Sequence, residues 1–194
     1  MPRAVFLDRD GVLNRLVFNP VTKRHESPHV PQDFALLPGV LDEVERLQAA
    51  GYMLFLVSNQ PSYALGKTTM ENIRAIHQLL ETAFQARGIR FQEYYYCFHH
   101  PEGVVPDYTA DCECRKPKPY FILKARDEFD LDLGKCWLVG DQDSDVLCGR
   151  ASGVRTILVA EPDSAARRGQ SEPDFHAATL GRAVDIILED GGTA

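Results

Sequence analysis

Two aspartates at the end of a short apolar run are the first residues of the chain with a clear chemical use. Residues 4–7 are apolar, and Asp8-Arg9-Asp10-Gly11 follows them directly. Carboxylates beside a protein core repel each other and lose hydration unless a cation lies between them. A bound divalent metal ion would compensate for this cost. A solvated acidic turn is the alternative that these four residues alone leave open.

Two later apolar runs also end in polar residues. Residues 53–57 lead into Ser58-Asn59, and residues 136–139 lead through a glycine into Asp141. In an open α/β sheet, ligands bind outside the carboxyl ends of the strands. The residues that we therefore expect to meet in one crevice are Asp8, Asp10, Ser58, Asn59 and Asp141.

These motifs, in this order, resemble those of the haloacid dehalogenase-like phosphohydrolases. The first motif of that superfamily is similar to residues 8–11, the second to Ser58, the third to Arg115-Lys116-Pro117 and the fourth to Gly140-Asp141 with Asp145. The resemblance covers roughly residues 3–160. It implies a Rossmann-like three-layer α/β/α fold with a mainly parallel sheet and without a large cap domain.

The resemblance also implies a Mg²⁺-dependent phosphomonoester hydrolase with a covalent intermediate. Asp8 would attack phosphorus and form an aspartyl-phosphate, and Asp10 would act as general acid and then as general base. Mg²⁺ prefers oxygen ligands and would be held by Asp8, the main-chain carbonyl of Asp10 and Asp141. The residues expected to bind the substrate are Ser58, Asn59 and Lys116 at the phosphoryl group and Arg115 at the far end. Asp145 either contacts these catalytic and binding residues or is only a carboxylate at a helix N-terminus.

A second constellation, of cysteine and histidine, lies between residues 97 and 114. Cys-x-His followed by Cys-x-Cys supplies four ligands of the kind found in closed tetrahedral zinc sites. In an extended chain the side chains of residues i and i+2 share a face, so each pair can point at one ion. The predicted zinc ligands are Cys97, His99, Cys112 and Cys114, with buried unliganded thiols as the alternative. Zinc would fix the loop of residues 100–111 and thus the direction of Arg115-Lys116, which a phosphate clamp requires.

A zinc-bound loop that leads into Arg115-Lys116-Pro117 narrows the resemblance to two phosphatase families. These are the D-glycero-D-manno-heptose 1,7-bisphosphate 7-phosphatases, which the long loop favours, and the histidinol-phosphate phosphatases. The heptose branch implies a phosphorylated sugar as the ligand. The sequence differs from the heptose family at two places where that family has a cationic side chain. Residues 61–67 lack the family's arginine, and Gln142 stands where lysine is common in the family. These differences leave phosphatase chemistry intact but bear on the substrate.

The elements that would position these residues alternate between strand and helix. We predict strands over residues 4–7, 53–57, 94–98, 136–139 and 156–160. Such alternation is typical of a parallel sheet with right-handed crossovers. Thr68 is the predicted N-cap of the helix after the second strand, with Glu71 completing a capping box. We predict that residues 15–38 form a loop or small hairpin over the crevice and that residues 161–173 form a polar connection.

Length and charge limit the possible functions. The 194 residues predict one domain over 1–194. The net charge of −7 argues against binding nucleic acid, and so against a nucleic-acid 3′-phosphatase with similar motifs. A non-catalytic sugar-phosphate sensor would not need both Asp8 and Asp10. No run resembles a signal peptide or a membrane span, so we expect a cytoplasmic protein without membrane partners, and we expect a monomer.

Overall fold

A computed structural model describes residues 1–191, and the centre of the molecule is a parallel sheet. The strands are β1 (Ala4–Leu7), β2 (Val17–Asn19), β3 (Arg24–Glu26), β4 (Met53–Asn59), β5 (Phe91–Cys97), β6 (Trp137–Gly140), β7 (Arg155–Val159) and β8 (Phe175–Ala177). Six of them form one sheet in the order β5-β4-β1-β6-β7-β8, in which every neighbouring pair is parallel. Strands β2 and β3 form a separate antiparallel hairpin. The predicted mainly parallel sheet is confirmed.

Helices cover both faces of the sheet. Those within residues 1–191 are α1 (Val40–Ala49), α2 (Met70–Gln85), α3 (Tyr120–Phe129), α4 (Asp143–Ser152) and α5 (Leu180–Gly191). Apolar side chains of α1, α2 and α5 pack on one face, and those of α3 and α4 pack on the other. Successive side chains of β1 point to opposite faces, so Val5 belongs to the first core and Phe6 to the second. This is the predicted three-layer arrangement. None of these helices is long and apolar enough to cross a membrane.

Two elements between β7 and α5 were missed by sequence reasoning. The segment predicted as a polar connection contains a short 3-10 helix over Pro162–Arg167. Strand β8 then adds to the edge of the sheet beside β7. Because β8 has three residues, it is too short to show the alternation of apolar and polar residues that identifies a strand.

The capping prediction for α2 was wrong by one residue. Thr69 is the N-cap, and its side chain accepts a hydrogen bond from the main-chain N–H of Asn72 rather than pairing with Glu71. Thr68 instead donates its hydroxyl hydrogen to the main-chain carbonyl of His29. Two adjacent threonines are equally good caps in sequence, and the tertiary contact of Thr68 decides between them.

The β2–β3 hairpin lies over the carboxyl ends of the sheet strands, as predicted for this part of the chain. Oγ of Ser27 lies 3.0 Å from Oγ of Ser62, which follows β4. On the opposite side, Arg167 donates a hydrogen bond to the main-chain carbonyl of His25. The hairpin therefore spans the crevice from the segment after β4 to the segment after β7. In the described part of the chain it does not grow into a large cap domain.

Candidate active site

Three neighbouring strands end at the same edge of the sheet and bring their polar residues together. Leu7, the last residue of β1, is paired with residues of both β4 and β6. The main-chain N–H of Asp8 donates a hydrogen bond of 3.0 Å to the carbonyl of Val139 in β6. The side chains of Asp8, Ser58 and Asp141 are all buried at this edge. The structure thus brings together the residues that were predicted to meet where parallel strands end.

Lys116 is the cation that lies among the carboxylates. Its Nζ is 2.8 Å from Oδ1 of Asp8 and 2.6 Å from Oδ1 of Asp145, and it donates a hydrogen bond of 2.7 Å to the carbonyl of Val57. Burial alone would lower the pKa of Lys116, but Asp145 and Asp8 raise it above its ordinary value. The side chain is therefore a charged ammonium group held in one position at the bottom of the crevice.

Asn59 holds the main chain of Lys116. Its Nδ2 donates a hydrogen bond to the carbonyl of Lys116, and its Oδ1 accepts one from the N–H of Lys116, both at 3.0 Å. Both polar ends of the Asn59 amide are therefore engaged with the lysine backbone. These bonds make Asn59 a positioning residue for Lys116. It also lines the cavity, and its contact with substrate stays a prediction. Ser58 is buried, and its Oγ accepts a hydrogen bond of 3.0 Å from Nε2 of Gln60, which also donates to Asp10.

Three side chains surround the carboxylate of Asp10. Oδ1 accepts a hydrogen bond of 2.9 Å from Nδ2 of Asn14, and Oδ2 accepts one of 2.5 Å from Nε2 of Gln60. Nη2 of Arg9 lies 3.1 Å from Oδ1 and also donates to Oε1 of Gln60 at 2.7 Å. Sequence reasoning missed Arg9 because a charged residue in a turn gives no sign of burial, yet it is 1% exposed. These contacts hold the Asp10 carboxylate in a defined orientation.

The carboxylate of Asp141 has the properties of a metal ligand. Both of its oxygens are buried, and among the described residues neither has a hydrogen-bond partner. Carboxylate oxygens of Asp8, Asp141 and Asp145 all lie within 4.8 Å of one another. Burial raises the pKa of Asp141 well above its ordinary value, and the charges of Asp8 and Asp145 raise it further. Lys116 is one cation beside these three carboxylates, so negative charge remains in excess. An all-oxygen group of this size and charge fits a hard divalent cation such as Mg²⁺.

The predicted zinc ligands meet at one point beside the crevice. Sγ of Cys112 is 3.4 Å from Sγ of Cys97 and 3.4 Å from Sγ of Cys114, and Nδ1 of His99 is 3.7 Å from Sγ of Cys114. A tetrahedral zinc ion about 2.3 Å from each sulfur would hold the sulfurs about 3.8 Å apart, so the cluster has the size of such a site. All of these cysteines are free thiols. The loop leads into Arg115, whose Nη1 donates a hydrogen bond of 3.3 Å to the carbonyl of His99.

A cavity of about 500 Å³ separates the carboxylates from the hairpin. Asp8, Asp10 and Lys116 form its buried floor. Its charged lining in the described part of the chain consists of five cations, Arg24, Lys67, Arg115, Lys116 and Arg167, and three carboxylates, Asp8, Asp10 and Glu26. The excess of cations lets a chain with a net charge of −7 accept an anionic ligand here.

The chain is similar in sequence to known phosphatases. The HAD-hydrolase-like family profile matches residues 113–183. The D-glycero-beta-D-manno-heptose-1,7-bisphosphate 7-phosphatase of Vibrio cholerae is 38% identical over 169 residues, which cover 87% of this chain and 87% of the relative. The chain belongs to the heptose bisphosphate phosphatase family. Another relative of that name, from Yersinia pestis, is 32% identical over 173 residues, which cover 89% of this chain and 88% of the relative.

Solved structures of heptose bisphosphate phosphatases share the fold of this phosphatase. The enzyme of B. bronchiseptica, in complex with magnesium and phosphate, superposes with a TM-score of 0.80 at 26% identity and covers 98% of this chain and 99% of its own. The enzyme of Burkholderia thailandensis has a TM-score of 0.65 at 25% identity, with 97% and 99% covered. The predicted haloacid dehalogenase-like fold and phosphatase class are confirmed.

Proposed function

We propose that this phosphatase removes the 7-phosphate of D-glycero-D-manno-heptose 1,7-bisphosphate. The observation that supports the reaction class is the buried contact of 2.8 Å between Nζ of Lys116 and Oδ1 of Asp8, at the floor of a cationic cavity. The substrate is proposed from relatives of that name, of which one is 38% identical to the chain.

In the proposed reaction, a carboxylate oxygen of Asp8 attacks phosphorus while the bond between phosphorus and the sugar oxygen breaks. Lys116 neutralises charge on the phosphoryl oxygens, and the hydroxyl of Ser58 donates a hydrogen bond to one of them. Asp10 gives its proton to the departing sugar oxygen. It then takes a proton from the water that attacks the aspartyl-phosphate, which releases orthophosphate and restores the Asp8 carboxylate.

Two metal ions belong to the proposed enzyme. Asp8, Asp141 and the main-chain carbonyl of Asp10 would hold Mg²⁺, which supplies the positive charge that lets a carboxylate and a phosphoryl group approach each other. The cluster of three cysteines and His99 would hold Zn²⁺ as a structural ion. Because Arg115 donates a hydrogen bond to the carbonyl of His99, zinc would also fix the direction of that guanidinium.

Arg115 is the proposed partner of the phosphate that is not hydrolysed. The 7-phosphate is on a primary carbon, so it reaches the buried floor while the sugar ring stays in the wider part of the cavity. The 1-phosphate then lies toward the zinc loop, where a guanidinium binds phosphate through two parallel hydrogen bonds. Binding energy from this remote group can position the reacting one.

The substrate proposal is tested by kcat/KM for heptose 1,7-bisphosphate, histidinol phosphate and an aryl phosphate. The wild type should prefer the bisphosphate. Arg115→Ala should lower kcat/KM for the bisphosphate by roughly 10- to 150-fold, since one charge-assisted contact contributes about 1.5–3 kcal/mol. The aryl phosphate, which has no second anionic group, should be hydrolysed almost as before.

Two results would contradict the proposal in different ways. A higher kcat/KM for histidinol phosphate would reject the heptose substrate. The difference between Gln142 and the lysine common in the heptose family would then have indicated the substrate correctly. If Arg115→Ala lowers kcat/KM equally for all three substrates, Arg115 does not bind the second phosphate. The proposed reaction class would be unaffected by that result.

A further inference from the structure

A second arginine faces the cavity from the hairpin. Arg24 is the first residue of β3, is exposed and lines the outer part of the cavity. Within residues 1–191 its guanidinium has no hydrogen-bond or ion-pair partner. Two other cations of the outer cavity differ in this respect. Nζ of Lys67 lies 2.8 Å from Oε1 of Glu26, and Arg167 donates to the carbonyl of His25.

The main chain that carries Arg24 is anchored on both sides of the cavity. The carbonyl of the next residue, His25, accepts the hydrogen bond from Arg167 after β7. The carboxylate of Glu26 pairs with Lys67 after β4. Because the two residues that follow Arg24 are held from opposite sides, its backbone is already ordered before a ligand arrives. Binding of a ligand to Arg24 therefore requires little further ordering of the main chain, and the entropic cost of binding is small.

Arg24 lies at a different depth from the reacting groups. Asp8 and Lys116 are each 4% exposed at the floor, whereas Arg24 is exposed at the rim. The two phosphates of a sugar bisphosphate are separated by the sugar. When one phosphate is at the floor, the other must lie toward the rim. A guanidinium matches phosphate there because its planar array of donors fits two oxygens at once.

We propose that Arg24 binds the phosphate that is not hydrolysed and that it is a specificity-determining residue for a sugar bisphosphate. The proposal rests on the proposed function, since it names a further contact in the same site. Arg24 would act from the hairpin while Arg115 acts from the zinc loop. The hairpin then adds a guanidinium, unpaired among the described residues, to a cavity in which Lys67 and Arg167 are already engaged with Glu26 and the His25 carbonyl.

The test compares Arg24→Gln with two other variants and uses two matched substrates. Arg24→Lys keeps the positive charge but loses the planar guanidinium with its parallel N–H donors. Lys23→Gln removes the same charge from the adjacent, exposed residue, which does not line the cavity. The substrates are heptose 1,7-bisphosphate and heptose 7-phosphate, in which the same bond to the 7-oxygen is cleaved and which differ only in the 1-phosphate. The readouts are kcat and KM, measured separately with the Mg²⁺-loaded enzyme.

We expect Arg24→Gln to raise KM for the bisphosphate by roughly tenfold with little change in kcat, because one charge-assisted contact remote from the reacting atoms is lost. KM for heptose 7-phosphate should stay at the wild-type value. Arg24→Lys should recover part of the loss, since a lysine binds phosphate as a point charge. Lys23→Gln should behave as the wild type with both substrates.

Three results would overturn the role of Arg24: an unchanged preference for the bisphosphate in Arg24→Gln, an equal loss with both substrates, or an equal loss in Lys23→Gln. Failure of the proposed function has a different signature. A wild type that hydrolyses the two heptose phosphates equally well has no second-phosphate recognition, which refutes the bisphosphate substrate and Arg24 together. That result is visible before any variant is compared.

Discussion

Oδ1 of Asp145 lies 2.6 Å from Nζ of Lys116, and both side chains are buried. Oδ2 of the same carboxylate accepts a hydrogen bond of 3.1 Å from the main-chain N–H of Gln142, at the start of α4. Asp145 therefore combines the two roles that the sequence left as alternatives: it is a carboxylate at a helix N-terminus, and it contacts Lys116 at the floor of the cavity. The start of α4 and the floor of the cavity are joined through this one side chain.

Asp145→Asn should lower both stability and turnover. The amide oxygen can still accept the bond from Gln142, but the charge beside Lys116 is lost. Removal of one member of a buried ion pair costs about 3–5 kcal/mol, and we expect the lower end because Asp8 remains beside the lysine. The measurements are chemical denaturation and kcat with an aryl phosphate. Asp143→Asn, in the same turn of α4, is the control and should keep the wild-type kcat. A wild-type kcat in Asp145→Asn would show that the function of Lys116 does not depend on Asp145.

Asp8→Asn should fold normally and lose turnover by about 10³-fold or more, because a neutral amide is not a competent nucleophile. Lys116 keeps Asp145 as a charged partner, so the Tm should stay near that of the wild type. Beryllium fluoride and aluminium fluoride complexes should raise the Tm of the wild type in the presence of Mg²⁺ and leave the variant unaffected. Substantial turnover by the variant would exclude Asp8 as the nucleophile.

The residues at the strand ends could be predicted because the strands that carry them are recognisable. A strand buried on both faces reads as a continuous apolar run, and β1 and β6 are buried along their whole length. The polar residue that follows such a run must lie at the edge of the sheet. The placement of Asp8 and Asp141 therefore follows from local patterns, and the convergence of the three cysteines and His99 follows from their spacing.

The contacts of Arg9 and Arg24 could not be predicted because they depend on how separate segments dock. Arg9 contacts its chain neighbour Asp10, and it also donates to Gln60, which follows β4 and is 51 residues away in the sequence. Arg24 lines the cavity only because its hairpin is anchored to segments after β4 and β7. Neither residue has a periodic pattern or motif spacing that would indicate its neighbours. The same limit applies to β8, which is a strand through its pairing with β7.

Cys112→Ser should remove zinc and lower the Tm and the activity together. Structural zinc is coupled to folding, and in the proposed enzyme it would fix the approach to Arg115 and Lys116. Elemental analysis of purified wild type should find one zinc ion per chain. Cys148→Ser is the control, because this buried thiol contacts the carbonyl of Lys118 outside the cluster. It should keep the zinc whatever its Tm. A zinc-free wild type together with an unaltered Tm in Cys112→Ser would contradict the site.

Mg²⁺ should stabilise the protein more as the pH rises. Burial, with the charges of Asp8 and Asp145, raises the pKa of Asp141 in the metal-free chain. A raised pKa in the folded state contributes stability that is fully present below the unfolded-state pKa of about 3.9 and is lost as the pH rises through the folded-state pKa. The metal-free protein should therefore lose stability with rising pH, and Mg²⁺, which binds the ionised carboxylate, should restore it.

The measurement for this prediction is the difference in Tm with and without Mg²⁺ between about pH 5 and about pH 8. Asp141→Asn is the control, since it has no proton to lose and should show no such difference at any pH. A Mg²⁺-dependent shift that is the same across this range would mean that Asp141 does not release a proton when the metal binds.

Gly11→Ala should weaken Mg²⁺ binding through a steric effect on Asp141. A Cβ atom at Gly11 would lie 2.3 Å from Oδ2 and 2.7 Å from Cγ of Asp141, so the carboxylate would have to move. The φ angle of Gly11 is +83°, which also strains any other residue by about 1–2 kcal/mol. Gly51 separates the two effects, because it has the same φ of +83° and nothing within 4 Å of its Cβ position.

Both glycine variants should therefore lose a similar amount of stability from backbone strain, and Gly11→Ala should in addition lose Mg²⁺ affinity. The measurement is the Kd for Mg²⁺ by calorimetry, with the free energy of unfolding of the metal-free proteins beside it. Gly51→Ala should bind Mg²⁺ as the wild type does. If Gly11→Ala also keeps the wild-type Kd, the carboxylate of Asp141 has moved without consequence for the metal, and Asp141 is not one of its ligands.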